Sequence, residues 1–145
     1  MLVDFYHLTS APIERVLPRI CERVVATGEK LLVVAEADLL EQLDRLLWTY
    51  APDSFLPHGR GGSATAERQP ILLSESPEPV NYATNIALAD GRWREQALGF
   101  ARAFYFFDSA HLDEARGVWR TLKDKEGVER RYWKQQEGGG WVQGP

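Results

Sequence analysis

The chain has 145 residues, a hydrophobic fraction of 44% and a formal net charge of −4, values typical of a globular protein with one core. Its longest apolar run, residues 31–35, is far shorter than the roughly 20 residues that a membrane span needs. Cys21 is the single cysteine, which excludes an internal disulfide and a multi-cysteine zinc site. We expect no signal peptide, and we predict one cytoplasmic domain over residues 1–136 with a flexible tail over residues 137–145.

The first fifty residues alternate between strand-like and helix-like patterns. Residues 2–8 are apolar and aromatic, which predicts a strand, and apolar residues at helical spacing follow from Ile13 to a cap at Gly28. Residues 30–36 contain a continuous apolar run, typical of a strand buried on both faces of a parallel sheet. Asp38 then caps a predicted helix that ends near Thr49. This order of elements favours a parallel sheet with right-handed crossovers.

The remainder of the chain continues the pattern less regularly. Residues 51–69 are rich in Pro, Gly and Ser and are predicted to be irregular. Further predicted elements are strands at 71–74, 85–89 and 100–107, a short helix near 93–98, a last helix from Asp108 or Ser109 to Glu126, and a closing edge strand at 128–135. The whole predicts a three-layer α/β fold, a mainly parallel sheet with helices on both faces and the first two strands near its centre.

The sequence carries few residues suited to catalysis. His7, His58 and His111 lie on three different elements without a metal-binding spacing. The glycines of residues 59–62 follow the second helix, whereas a dinucleotide fingerprint would follow the first strand. We therefore expect a Rossmann-like scaffold without a nucleotide fingerprint, and no catalytic site, metal or cofactor. A nucleotide-dependent enzyme on this scaffold remains an alternative.

Charge is distributed unevenly along the chain. Residues 115–134 hold seven basic and three acidic side chains, which gives +4 and leaves −8 on the remainder. On the predicted last helix, Trp119 lies beside Arg116, Arg120 and Lys123, a composition suited to an acidic peptide with an aromatic residue. A solvated helix face and a direct binder of single-stranded nucleic acid are alternatives, although an acidic body disfavours the latter.

Two large apolar residues lie at the end of the second predicted helix and in the irregular segment that follows it. Trp48 ends the second predicted helix, and Phe55 follows in a proline-bracketed loop. Such residues either fill the hydrophobic core or serve as anchors for a partner protein. We expect them to lie close together and to be partly exposed.

Several motifs occur in an order that resembles one known family. The matching stretches are Phe5-Tyr6, Leu43-Asp44-Arg45-Leu46-Leu47-Trp48, Ser54-Phe55-Leu56-Pro57-His58, Pro70-Ile71 and Ala115-Arg116-Gly117-Val118-Trp119-Arg120. On these residues the chain resembles the chi subunit of bacterial DNA polymerase III over nearly its whole length. The second and third stretches are the most specific.

The resemblance implies an adaptor without a catalytic site of its own. Chi proteins link the clamp-loader part of the replicase to the single-stranded-DNA-binding protein by holding its acidic C-terminal tail, and they contact DNA only indirectly. By position, the tail site implied here comprises Arg116, Trp119, Arg120, Lys123 and, more loosely, Tyr105. Trp48 and Phe55 match the surface that holds the psi subunit, a second clamp-loader protein. Leu112 departs from the family, which often has a basic residue there.

Overall fold

The computed structural model of the chain describes residues 1–50, 57–137 and 140–144. These residues form three α-helices, α1 (Ile13–Ala26), α2 (Ala37–Thr49) and α3 (Leu112–Lys123). They also form eight strands, β1 (Leu2–His7), β2 (Leu31–Val34), β3 (His58–Arg60), β4 (Ile71–Ser74), β5 (Asn85–Leu88), β6 (Arg102–Phe107), β7 (Glu129–Gln135) and β8 (Trp141–Gln143). Short 3₁₀ turns lie at Ala66–Arg68, Glu95–Gly99 and Ser109–His111.

The strands join into one sheet in the order β3-β4-β2-β5-β6-β1-β7-β8. All neighbouring pairs are parallel except β7 and β8, which are antiparallel. The predicted mainly parallel sheet is therefore confirmed, and β1 and β2 flank its two central strands. Among the described residues, no helix is both long and apolar enough to cross a membrane.

The two directions of crossover place helices on both faces. From β1 the chain passes through α1 to β2 and through α2 to β3, toward one edge of the sheet. From β6 it passes through α3 to β7, toward the other edge. Because parallel crossovers are right-handed, opposite directions put α1 and α2 on one face and α3 on the other. The predicted three-layer architecture is confirmed.

The side chains of β1 point alternately to the two faces of the sheet and so enter two separate hydrophobic cores. Tyr6 packs with α1 and α2, while Val3 and Phe5 belong to the cluster that α3 covers. Trp119 of α3 reaches this second cluster and meets Phe5 edge-on, with ring centroids 5.1 Å apart. Since a strand turns successive side chains to opposite faces, β1 serves both cores.

A charged cluster lies on the face shared with α1. Asp4 has no exposed surface and accepts hydrogen bonds from Arg102 of β6 and from Arg131 and Trp133 of β7, at 2.7–3.0 Å. Both guanidinium groups also lie over aromatic rings, Arg102 at 4.4 Å from the Phe104 centroid and Arg131 at 5.5 Å from that of Trp133. These contacts hold three neighbouring strands together through one carboxylate.

The structure differs from the expectations in three places. Gly59 and Arg60, expected in a flexible loop, belong to the edge strand β3, which pairs with β4. The helix expected to run to Glu126 ends at Lys123. The segment expected to be a flexible tail contains β8, so β7 is not an edge strand along its whole length; Trp133 to Gln135 pair with it. Trp141 of β8 meets Tyr6 edge-on at 5.0 Å, which explains the added strand.

Candidate partner-binding surfaces

Helix α3 carries four of the predicted site residues. Arg116, Arg120 and Lys123 are exposed and recur at a spacing that places them on one helix face. None of the three forms an ion pair within the part of the chain that the structure describes. Trp119 is half-buried at the border between this face and the core. The structure thus brings these four residues onto one helix, as the sequence predicts.

Strand β7 completes this surface with residues that the sequence analysis did not single out. The Arg130 guanidinium lies 3.9 Å from the centroid of the Trp119 ring, and its Nη1 donates a hydrogen bond of 2.6 Å to the Trp119 carbonyl. Tyr132 meets the same indole edge-on at 5.9 Å. Lys134 is exposed two residues further along the strand. We call the combined set the α3–β7 surface: Arg116, Trp119, Arg120, Lys123, Arg130, Tyr132 and Lys134.

Electrostatic effects agree with the contact between α3 and β7. Burial raises the pKa of Tyr132, and the Arg116 charge opposes that rise. Burial lowers the pKa of His7, and the charges of Lys134 and Arg116 lower it further. Arg116 of α3 and Lys134 of β7 therefore lie close enough to the same imidazole to act on it together. The α3–β7 surface thus combines a high density of positive charge with the aromatic rings of Trp119 and Tyr132.

The remaining basic residues of this segment are used elsewhere. Arg131 points to the opposite face, where it binds Asp4. Lys125 lies 3.8 Å from Glu95. Five of the seven basic side chains between residues 115 and 134 therefore remain for the α3–β7 surface. On β7, the alternation of side chains decides that Arg130 and Lys134 face this surface and Arg131 does not.

Tyr105 does not belong to this surface. The side chain is fully buried, and its hydroxyl donates a hydrogen bond of 2.9 Å to the Gly91 carbonyl. Burial raises the pKa of Tyr105 well above its ordinary value. This position of β6 faces the core beneath α3, so the structure does not bring Tyr105 to the surface on which the predicted ligand contact depends.

A second candidate surface lies at the other edge of the sheet. Trp48, at the end of α2, is 58% exposed and packs against His58 of β3 with ring centroids 4.7 Å apart. His58 is buried, and its Nε2 lies 3.0 Å from Asp44 Oδ1. The exposure of Trp48 agrees with the sequence expectation. Phe55 lies outside the described residues.

A cavity of about 640 Å³ opens at the carboxyl ends of β1, β2, β5 and β6. Doubly wound folds bind nucleotides at this place, where backbone amides after the first strand meet the phosphate. Here the N–H groups of Thr9, Ser10 and Ala11 all donate to Oε1 of Gln135, at 2.9–3.2 Å. A side chain of the protein itself thus takes the position of the anion.

The lining of this cavity also disfavours a phosphate. Its lining includes four carboxylates, Glu14, Glu36, Asp90 and Asp108, against one arginine, Arg92. The described residues contain no group of three or more His, Cys, Asp or Glu side chains suited to a metal ion that would offset this charge. The geometry does not support the alternative of a nucleotide-dependent enzyme.

Comparison with known families agrees with the motifs quoted above. A family model described as DNA polymerase III chi subunit, HolC, matches residues 1–129. The chain belongs to the chi family. It is therefore an accessory subunit of DNA polymerase III, acting in DNA replication. No curated protein matches the chain. The chi match ends one residue before Arg130, so three residues of the α3–β7 surface lie beyond it.

Proposed function

We propose that this chi-family chain links the replicase to the single-stranded-DNA-binding protein by holding that protein's acidic C-terminal tail on the α3–β7 surface. The observation that carries the proposal is the grouping of exposed cations on α3 with Trp119, without an acidic partner among the described residues. A tail with several carboxylates and a terminal Phe needs a cation for its α-carboxylate, an apolar contact for its ring and a positive rim. The surface offers each of these.

Arg116 is the best candidate for the terminal carboxylate. It is exposed, and its planar guanidinium can bind a carboxylate through two hydrogen bonds. Trp119 stands one helical turn away, with one face of its ring covered by Arg130. A ligand ring therefore packs against the open side of Trp119, or replaces the Arg130 guanidinium there. Arg120, Lys123 and Lys134 supply the rim.

Binding of a peptide with several aspartates and a C-terminal Pro-Phe tests the proposal. We expect Arg116→Ala to weaken binding about thirtyfold, since a central contact is worth roughly 2 kcal/mol or more. Lys123→Ala is expected to weaken it only a few-fold, with an effect that fades as salt rises. Fluorescence anisotropy measures both.

Two controls sharpen this experiment. Arg15→Ala removes an exposed arginine from α1, on the opposite face, and should leave the affinity unchanged. A peptide with an amidated C-terminus should bind the wild type weakly and be little affected by Arg116→Ala. Equal binding of the acidic peptide by wild type and Arg116→Ala would refute the assignment. Tight, steeply salt-dependent binding of protein-free single-stranded DNA would favour direct nucleic-acid binding instead.

We further propose that the Trp48 surface holds the psi subunit or an equivalent clamp-loader partner, with Phe55 as a second anchor. The exposed indole, fixed against His58, supports this, because rigid aromatic anchors are typical of protein interfaces. We place the protein in the cytoplasm, at the replisome, because its family acts in DNA replication. In this role the chain has no catalytic site of its own, and it contacts DNA only through its partners.

A further inference from the structure

His7 lies directly below the α3–β7 surface and is incompletely hydrogen-bonded. It is the last residue of β1, is 9% exposed and stacks on Phe107 with ring centroids 5.2 Å apart. Its Nδ1 lies 3.0 Å from the Tyr132 hydroxyl oxygen. Its Nε2 is buried and has no hydrogen-bond partner among the described residues. A buried polar atom without a partner is rare and calls for an explanation.

Charged groups from every neighbouring element act on this imidazole. Arg116 approaches from α3 and Lys134 from β7, while Asp108 follows β6 and has the opposite effect. Burial and the two cations hold the pKa of His7 below its ordinary value of 6.5. The ring is therefore neutral near pH 7, and Tyr132 can donate its hydroxyl hydrogen to Nδ1.

We propose that His7 is a proton-linked positioning residue of the tail site, taking up a proton from solvent when an acidic tail neutralises Arg116 and Lys134. In the protonated ring both nitrogens carry hydrogen, so Nδ1 donates to the Tyr132 oxygen. The Tyr132 hydroxyl then no longer donates to Nδ1. It keeps its hydrogen and donates a hydrogen bond to a carboxylate of the tail instead. The inference rests on the proposed function, and it adds His7 and Tyr132 to the residues that select an acidic ligand.

The direction of the pH effect follows from this linkage. A bound anion favours the charged imidazole, so the pKa of His7 is higher in the complex than in the free protein. Affinity then rises as the pH falls through the range between these two values. Carboxylates of the tail titrate near pH 4 and stay ionised between pH 7.5 and 5.5, so they contribute no pH dependence there.

Affinity for the acidic peptide, measured from pH 7.5 to 5.5 at constant ionic strength, tests the proposal. We expect wild-type affinity to increase about three- to tenfold, because protonation of His7 favours the bound anion. His7→Gln, which keeps an acceptor for Tyr132, should bind with no pH dependence. His111→Gln removes a nearby half-buried histidine and should retain the wild-type pH dependence of affinity. Tyr132→Phe should weaken that pH dependence, because it removes the hydroxyl that connects His7 to the tail.

A second measurement needs no variant. The imidazole of His7, followed by NMR, should titrate at a higher pH with the peptide bound than without it. The inference would be overturned, and the proposed function left standing, by either of two results. One is a pH dependence of affinity that is the same in wild type and His7→Gln; the other is a His7 titration that the peptide does not change. Absence of peptide binding to the wild type at every pH would instead overturn the proposed function, and this inference with it.

Discussion

Asp4 illustrates what a fully buried carboxylate requires. Burial alone would raise its pKa, but hydrogen bonds from Arg131, Trp133 and Arg102 outweigh that effect, and the pKa lies below its ordinary value of 3.8. Both arginines are more than a third exposed, so part of their charge remains hydrated. The cluster therefore stabilises the junction of β1, β6 and β7 only while Asp4 is ionised.

The first stability prediction concerns this carboxylate. Asp4→Asn keeps the size of the side chain but removes the charge that both arginines contact, and we expect a loss of about 3 kcal/mol in the free energy of unfolding near pH 7. Because the folded pKa is lowered, the contribution of Asp4 is present above about pH 4 and is lost as the pH falls through the folded value.

Urea unfolding at pH 7 and at pH 3 checks this prediction. The difference between wild type and Asp4→Asn should narrow at the lower pH. Arg15→Ala, which removes an exposed arginine from the same face, should change the stability by less than about 0.5 kcal/mol at both. An equal loss of unfolding free energy in Asp4→Asn at both pH values would show that packing, not charge, accounts for the contribution of Asp4.

Single residues differ in how far the sequence reveals them. Arg116 and Trp119 are readable because helical spacing alone places them on one side of α3. Tyr105 lies in a run of aromatic residues without polar alternation, so nothing in that run tells which positions face outward. The partners of Asp4 come from residues 102 to 133, and no local pattern connects them to it.

At the scale of elements, the helices and central strands could be predicted, but the edge of the sheet could not. Apolar periodicity specifies α1, α2 and β2 locally. β8 is three residues long, follows glycines and forms because Trp141 packs on Tyr6. Whether so short a strand forms depends on its pairing and packing partners, which local sequence does not reveal.

The contribution of β8 can be measured. Trp141→Ala removes the contact with Tyr6 and should lower the free energy of unfolding by about 1–2 kcal/mol, because the side chain is half-buried. Val142→Ala, in the same strand but with 45% of the side chain exposed, should cost about 0.5 kcal/mol or less. Thermal unfolding distinguishes them; equal effects would mean that β8 contributes through its backbone alone.

At the scale of the whole molecule, the two candidate surfaces lie at opposite edges. β3, which carries His58 beside Trp48, is separated from β7 by five strands. With strands about 4.8 Å apart, the surfaces are roughly 30 Å from each other. Two partners can therefore occupy the protein at the same time, as the proposed adaptor role requires.

This separation predicts independent binding. Trp48→Ala should leave affinity for the acidic peptide within about twofold of wild type, whereas Arg116→Ala should leave binding of a psi-type partner intact, since sites this far apart without shared contacts act additively. Titration of the peptide with each variant, and with the second partner present, measures the coupling. A large change in peptide affinity in Trp48→Ala would indicate that the two edges communicate.

The position of β1 has a consequence for how the protein is made. Leu2 lies opposite Arg102 on one side and Glu129 on the other, so β1 pairs only with strands that are synthesised much later than itself. At 5–20 residues per second, β1 waits about 5–20 s for β6. Loop closure over such a separation is slow, which predicts a late folding step. In the interval an apolar strand with unpaired edges is open to chaperones or to neighbouring nascent chains. Assembly of the sheet is thus completed around its oldest segment.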